Sequence, residues 1–550
     1  MRAPPPGRAN LSTLIETEAC RPATREINSP LMNPTQTQIS RNRAASNDNV
    51  SASNCVGARN YSQTSNLIAM KTNVLLSIAS ISALFTATIT PQVEAASDAH
   101  TRNWPQWRGP LANGHAPQGN PPTTWSETEN VKWKVKIPGS GMSTPVIWEN
   151  QVFIQTAIPS GRKAELPAVE KKSAANFSPN VFGQAQPPAG GSTPGEERRR
   201  RPGGGPGGGG FGRGEAPTEV QQFALLCLDR QTGKTLWQQV ATEAVPHEGH
   251  HRDHSFASHS PVTDGALVFA WFGSRGLHCY DMSGKLQWSK DFGDQRISNG
   301  FGEGGSPALH GDTLIITWDH EGDDFITALD KKTGKELWKQ ARDERTTWTT
   351  PFVIEHGGKA QVVAAASGKV RGYDLANGKV LWECGGLGSN VIPTPVTGNG
   401  LLFAMSGHRE PALLAIKLGR TGDLTDTDAV AWKLQRGTPY VPSPLLVDQR
   451  LYIFSGNNAT LSCFDASSGK MLIDNERLEG PSGFYASPVS AGGRIYLAGR
   501  NGTSLVLKPS DKVEVLATNK LDEKFDASPA VVGRELFLRG HEYLYCLAEK

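Results

Sequence analysis

A short signal, Ser or Thr followed by Pro and then an apolar residue, recurs eight times and constrains the fold of this chain more than any other feature. The copies are Thr144-Pro145-Val146, Ser260-Pro261-Val262, Ser306-Pro307-Ala308, Thr350-Pro351-Phe352, Thr394-Pro395-Val396, Ser443-Pro444-Leu445, Ser487-Pro488-Val489 and Ser528-Pro529-Ala530. From Pro261 onward the prolines are 41–49 residues apart, a period at which each unit stacks on its neighbours to bury a continuous core. After each Pro come a short strand, a Gly or Asp turn and a second apolar strand, such as Leu267–Trp271 or Leu451–Phe454. A loop of variable content follows, then a third strand ending in a small residue and an Asp, a uniform turn, and a fourth strand that usually carries Trp. This grammar predicts an all-β chain, an eight-bladed β-propeller of four-stranded antiparallel blades over 131–550. Radial repetition also lets one closed unit outgrow the ~100–200 residues of an ordinary domain.

The turn between third and fourth strands is the most uniform element. Cys227-x-Asp229-x-x-Thr232-Gly233-Lys234-x-x-Trp237 and Ala328-x-Asp330-x-x-Thr333-Gly334-Lys335-x-x-Trp338 are two instances. Asp374, Gly378 and Trp382 repeat it; Asp465 and Gly469 do so with Ile473 in place of Trp; Asp281, Gly284 and Trp288 form a version one residue shorter. The chemistry is structural. Asp and Thr side chains bond turn N–H groups, Gly supplies φ > 0, and the Trp ring is large enough to fill the space between blades. Thr232-Gly233-Lys234-Thr235 is not a phosphate loop, because Leu228 stands where that motif needs Gly.

This A-x-D-x-x-T-G-K-x-x-W pattern resembles the tryptophan-docking motif of the pyrroloquinoline-quinone (PQQ) quinoprotein propellers, a repeat shared with outer-membrane assembly propellers. The resemblance covers roughly 131–550 and implies a quinoprotein-like β-propeller. Trp104-Pro105-Gln106-Trp107-Arg108-Gly109-Pro110 is similar to the opening motif of exported PQQ-like repeat proteins from planctomycete-type bacteria. It implies a lead-in segment (96–130) that packs on the propeller. The resemblance also implies candidate cofactors, PQQ and calcium held on the axis, with Glu, Asn and Asp ligands, an Asp base, a Trp stacked on the quinone and a disulfide between adjacent Cys. The sequence departs from that pattern: it has no adjacent Cys pair and no CxxCH haem motif. Trp348 and Trp318 offer a stacking floor and Glu303, Asn390 and Asp526 offer oxygen ligands by topology alone.

The last copy ends after its third strand, Tyr543–Leu547, and Val131–Val135 precedes the first Pro signal with a Trp of its own. That strand is expected to complete the last blade, which removes the open edges. Strand order then separates two faces. First-to-second and third-to-fourth turns lie on one, here the turn face. Second-to-third loops and blade crossings lie on the other, the loop face. Variable loops on a rigid scaffold are where binding usually sits. The candidate ligand-binding residues there, near the axis, are His259, Glu303, Asp319, His320, Trp348, Asn390, His408, Arg409, Tyr440, Tyr485, Arg500 and Asp526. The alternative is an ordinary set of solvated loops. His247-Glu248-Gly249-His250-His251 is formally an HExxH, with His247, Glu248 and His251 as weak metal candidates, but Gly249 and its surroundings read as loop and spoil that geometry. The acidic run Asp423, Asp426 and Asp428 reads as an extended turn.

Residues 1–69, rich in Ser, Asn, Thr and Arg, read as disordered, or as an extension upstream of a start at Met70. From Met70, Lys71, an apolar run Val74 to Ile89 and Val93-Glu94-Ala95 form a Sec-type signal peptide over 70–95, with a signal anchor as the alternative. The chain is thus expected to be exported, periplasmic or extracellular. A Pro/Gly/Arg tract interrupts blade 1 and is expected to be disordered over about 159–220. The net charge of +3 gives no global field for nucleic acid. Of seven Cys, Cys227, Cys279, Cys463 and Cys546 recur at one repeat position, where a small buried side chain is expected. The sequence reading favours a non-catalytic exported propeller that binds a protein, an envelope polymer or a small ligand on its loop face. The alternative is a PQQ- and calcium-dependent alcohol or sugar dehydrogenase with a divergent site.

Overall fold

The structure, a computed structural model, describes residues 99–163 and 217–550. The extension, the signal peptide and most of the tract in blade 1 lie outside those residues. Eight antiparallel sheets, each with four strands contributed by one blade, follow one another along the chain. Blade 1 is Val146–Trp148, Gln151–Lys163, Glu219–Asp229 and Thr235–Ala244. Blade 8 is Ala530–Val532, Glu535–Arg539 and Tyr543–Leu547, completed by Val131–Lys136, which pairs antiparallel with Tyr543–Leu547. The ring is therefore closed by the strand the sequence points to. No helix among the described residues is long and apolar enough to cross a membrane.

The repeated signal has a direct physical role. A residue before Pro is held extended, which fixes where its hydroxyl points. Seven of the eight hydroxyls, all but that of Thr144, accept a hydrogen bond from the backbone N–H of the counterpart in the preceding blade. Thr144 N–H donates to Ser260 Oγ at 2.9 Å, Ser260 to Ser306 at 2.9 Å, Ser306 to Thr350 at 3.0 Å and Thr350 to Thr394 at 3.1 Å. Thr394 donates to Ser443 at 3.0 Å, Ser443 to Ser487 at 3.0 Å and Ser487 to Ser528 at 2.9 Å. These groups are buried, so the bonds both satisfy amides that water does not reach and staple blade to blade around the axis.

A second staple works at the rim. The indole N–H of Trp133 donates to Arg230 O of blade 1, Trp237 to Met282 O, Trp288 to Lys331 O, Trp338 to Leu375 O and Trp432 to Ala466 O, at 2.8–3.2 Å. Each acceptor belongs to the third-to-fourth turn of the next blade. The turn glycine is required twice over: Gly378 has φ +73°, and a Cβ there would lie 2.4 Å from the Trp338 ring. The small residue of the third strand faces the same Trp across the sheet, as in Cys227↔Trp237, Ala328↔Trp338 and Cys546↔Trp133. A β-bulge follows at this place in every blade, adding the local twist a propeller blade needs. Trp382 is the exception: it donates to Gln361 Oε1 within its own blade. There the acidic run does more than turn, since Gly422–Asp423 adds a short parallel strand to the outer edge of blade 4.

Blade 1 differs from expectation. Its second strand continues through Pro159 to Lys163 and its third begins at Glu219, so both edges of the span expected to be disordered are strand. The hairpin stands beyond the loop face, and the tract starts later than residue 159.

The lead-in segment lies inside the ring of inner strands. Trp104 exchanges both backbone hydrogen bonds with Ile147 of blade 1, and Pro105 O accepts from Thr263 of blade 2. Arg108 Nη2 donates to Pro444 O of blade 6 at 2.7 Å, His115 pairs with Ser490 of blade 7, and Asn120 donates to Gly533 of blade 8. Most of these partners sit at the turn-face ends of the inner strands. The segment thus plugs the axis from the turn face and leaves the loop face as the free mouth.

Candidate functional site

The crossings that enter each blade ring this mouth. On one side two runs of polar and aromatic contacts line the rim, one at the crossings into blades 5 and 6 and one from the crossing into blade 7 round to that into blade 2. His408 packs on Tyr440 with ring centroids 5.0 Å apart, and Asn390 lies against the Tyr440 hydroxyl, countering the rise in pKa that burial causes. Arg500 stands over the Tyr485 ring at 3.7 Å. Its guanidinium bonds Asp526 at 2.7 Å and reaches Asp253 of the blade 1-to-2 crossing at 3.1 Å. His541 Nε2 lies 2.9 Å from the second Asp526 oxygen. Asp526 is held below the usual carboxylate range because His541 and Arg500 outweigh its burial. Arg409 is exposed beside His408, with a left-handed φ of 56°.

On the other side is a cleft of about 30 Å³ lined by Phe223, Phe256, Phe272, His247, Arg275 and Glu303. Ser274 donates to Glu303 twice, from its N–H at 2.7 Å and its hydroxyl at 2.6 Å. Burial nevertheless raises the Glu303 pKa against those bonds. Trp348 closes this side: its indole donates to Gly302 O at 2.7 Å and its N–H to Val391 O at 2.9 Å. The loop face therefore brings together Asn390, His408 and Tyr440 in one group and Tyr485, Arg500 and Asp526 in a second, with Glu303 and Trp348 in a third.

Three expected site residues lie elsewhere. Asp319 is 4 % exposed and forms a bidentate pair with Arg342, at 2.7 and 3.0 Å. Glu344, Arg371 and Tyr373 complete that buried network between blades 3 and 4. His320 is spent on the backbone, accepting from Arg296 N–H at 3.0 Å. His259 is 1 % exposed beneath the mouth, and neither ring nitrogen has a partner among the described residues. Burial pushes its pKa down to about 3, so it is neutral. Sequence reasoning missed Asp253 and His541 as partners of Arg500 and Asp526; ring closure brings Asp253 there, and His541 reaches Asp526 within blade 8.

The metal candidates do not converge. His247 Nε2 faces Gln295 O at 2.6 Å, Glu248 accepts from Ile297 N–H, and His251 Nδ1 accepts from Asp253 N–H. They sit on a loop, as Gly249 suggested. Among the described residues no three His, Cys, Asp or Glu side chains gather as a metal-holding group.

The oxygen donors suggested for calcium do not fit a shared ion. Calcium needs about six to eight oxygens around one point. Glu303 is engaged by Ser274, Asp526 by Arg500 and His541, and Asn390 lies against Tyr440. Trp318 is no stacking floor either: it is 3 % exposed and packs among Trp271, Phe292 and Phe325, with centroids 5.7–5.8 Å away. The five described cysteines are free and buried, each in a different blade.

Ring closure, the docked tryptophans and the hydroxyl staple together define an eight-bladed β-propeller. Residues 222–475 match a PQQ-repeat family model described as outer membrane protein assembly factor BamB. Among solved structures, the quinohemoprotein alcohol dehydrogenase of Comamonas testosteroni superposes with a TM-score of 0.53 at 10 % identity, over 84 % of this chain and 83 % of that one. A europium-containing methanol dehydrogenase gives 0.52 at 8 % identity, over 83 % and 100 %. BamB from Moraxella catarrhalis gives 0.43 at 13 % identity, over 59 % and 91 %. At such identities the likeness is one of fold. No curated protein matches the sequence.

Proposed function

We propose that the chain is an exported, non-catalytic PQQ-like β-propeller that binds a partner through its loop face. The observation that carries this reading is the inequality of the two axial ends. Residues 104–120 cross the turn-face end, bonded to the inner strands with a cavity of about 200 Å³ left beside Pro105, whereas the loop-face end keeps Tyr440, Tyr485, His408, Arg409, Arg500 and His541 at least partly accessible. Tyr and Arg are the residue types that anchor protein interfaces. A protein partner is favoured over an envelope polymer or a small ligand, because the family model spanning 222–475 is named for outer-membrane protein assembly. Export rests on the sequence pattern from Met70 to Ala95.

The second reading, a PQQ- and calcium-dependent dehydrogenase, draws support from the fold shared with two dehydrogenases. The engaged state of Glu303, Asn390 and Asp526 weighs against it. Purified protein incubated with PQQ and Ca²⁺, then desalted, separates the two. The binding reading expects no retained quinone absorbance and no dye reduction with alcohols or sugars. Stoichiometric retention with alcohol-dependent dye reduction establishes the second reading instead.

A further inference from the structure

Arg539 is the last residue of the second strand of blade 8 and is 2 % exposed. Its Nη1 donates to Ser143 Oγ at 2.8 Å and to Gln155 O at 2.6 Å, which stitches blade 8 to blade 1. Nothing else on the guanidinium is used. Nε is buried without a partner, and Nη2 has no acceptor among the described residues. Burial pushes its pKa down to about 9, and no acidic neighbour pushes it back.

The stitch alone does not call for a charge. The register pairs Val146↔Phe153, Val262↔Phe269 and Ala530↔Phe537 place Gln155, Trp271 and Arg539 at the same position of their blades. Gln155 makes the equivalent stitch to blade 2 with a neutral amide: Nε2 donates to Trp271 O at 2.6 Å, and Oε1 accepts from Trp271 N–H at 3.3 Å. A buried cation with no counter-charge is costly, so its presence where an amide serves needs a reason. The two unused nitrogens supply one. Nε–H and Nη2–H lie on one edge of the guanidinium, the fork that takes a carboxylate bidentately. Gly141 lies beside that edge: a Cβ there would come within 2.6 Å of Nη2, as well as within 2.7 Å of Gln155 O. Arg108, the other buried arginine without an acid, has its free nitrogens at Nε and Nη1, which share no such edge.

We propose that Arg539 anchors a carboxylate-binding site beside the axis, under the loop face between blades 8 and 1. The inference rests on the loop face being the binding surface and names one chemical group its ligand carries. The test uses the whole protein and sodium acetate as probe, with acetamide and sodium chloride at matched concentration, followed by saturation-transfer NMR. Acetate is expected to bind saturably, acetamide to give no such signal, sodium chloride to leave the acetate signal in place, and Arg539→Gln to weaken acetate at least tenfold while keeping the stitch. Arg539→Lys, which keeps the charge but loses the fork, and Gly141→Ala are expected to weaken it as well, and they decide the matter if Arg539→Gln does not fold. A tripeptide with a free C-terminus and its C-terminal amide form a second arm. Tighter binding of the free acid than of acetate assigns the site to a chain end; equal binding assigns it to a small acid. No saturable acetate binding in the wild type, or equal binding in a folded Arg539→Gln protein, overturns the inference. If acetate fails to bind while the loop face still takes a partner, this inference falls and the functional reading stands. The converse result separates them the other way.

Discussion

Removing one hydroxyl from the axial staple tests the structural account at a single atom. Ser443 is 1 % exposed, and its Oγ accepts the Thr394 N–H at 3.0 Å. Ser443→Ala leaves that amide buried without an acceptor, a loss of about 1–3 kcal/mol. Ser443→Thr keeps the oxygen, and a Thr hydroxyl already accepts the equivalent bond at 350 and 394. We therefore predict that Ser443→Ala lowers the urea midpoint by the equivalent of about 1–3 kcal/mol with an unchanged slope, and that Ser443→Thr stays within about 0.5 kcal/mol of wild type. Hydrogen exchange locates the effect: the Thr394 amide should lose protection by roughly tenfold for each 1.4 kcal/mol. An alanine variant as stable as wild type, or a threonine variant as damaged as the alanine one, would refute the claim that the hydroxyl is what the repeat signal conserves from blade to blade.

Two glycines of equal conformation separate backbone strain from crowding. Gly378 (φ +73°) lies 2.4 Å, measured from a virtual Cβ, from the Trp338 ring, whereas Gly400 (φ +74°) has nothing within 4 Å. Thermal melts should show Gly400→Ala costing about 1–2 kcal/mol from φ alone and Gly378→Ala costing about 2–4 kcal/mol as overpacking adds to it. The turn aspartates give a pH prediction. Asp229, Asp281, Asp330 and Asp465 are held below the usual carboxylate range, chiefly by the Thr or Ser hydroxyl of their own turn. A depressed folded pKa contributes stability that is present above the unfolded value and is lost as pH falls through the folded one. The melting temperature should therefore fall as pH drops below about 4, and Asp330→Asn should flatten that fall. A melting temperature indifferent to pH there counts against the turn bonds.

Most of the fold is legible in the sequence because it rests on local chemistry repeated many times. The Ser/Thr-Pro signal, the Asp-x-x-Thr-Gly turn and the Trp each recur at fixed offsets, and the missing last strand points to Val131 as its replacement. What the signal does is less legible. The Thr394–Ser443 bond joins residues 49 apart that meet only when neighbouring blades pack. The same limit governs the site. Tyr485, Arg500 and Asp526 belong to one side of the mouth, as topology suggests, yet Arg500 also reaches Asp253, which strand order alone does not place near it. Asp319 and His320 occupy a loop position that reads as functional, but Arg342, 23 residues on, draws Asp319 into the space between blades. Charge-pair partners at that separation have no periodic signature. Arg539 is legible as a residue type but not as an unpaired one, because its isolation depends on Gln155 and Ser143 from the opposite end of the chain.

The central claim, that the loop face binds and the turn face does not, is tested most directly by photo-crosslinking. Photoreactive side chains at Tyr485 and His408 report on the loop face, and those at Lys234 and Lys332 on the turn face, each in the whole protein exposed to the envelope fraction of its own cells. Discrete adducts from Tyr485 and His408, with none from Lys234 or Lys332, are the result predicted. Adducts from the turn face, or equal labelling from both faces, would contradict it.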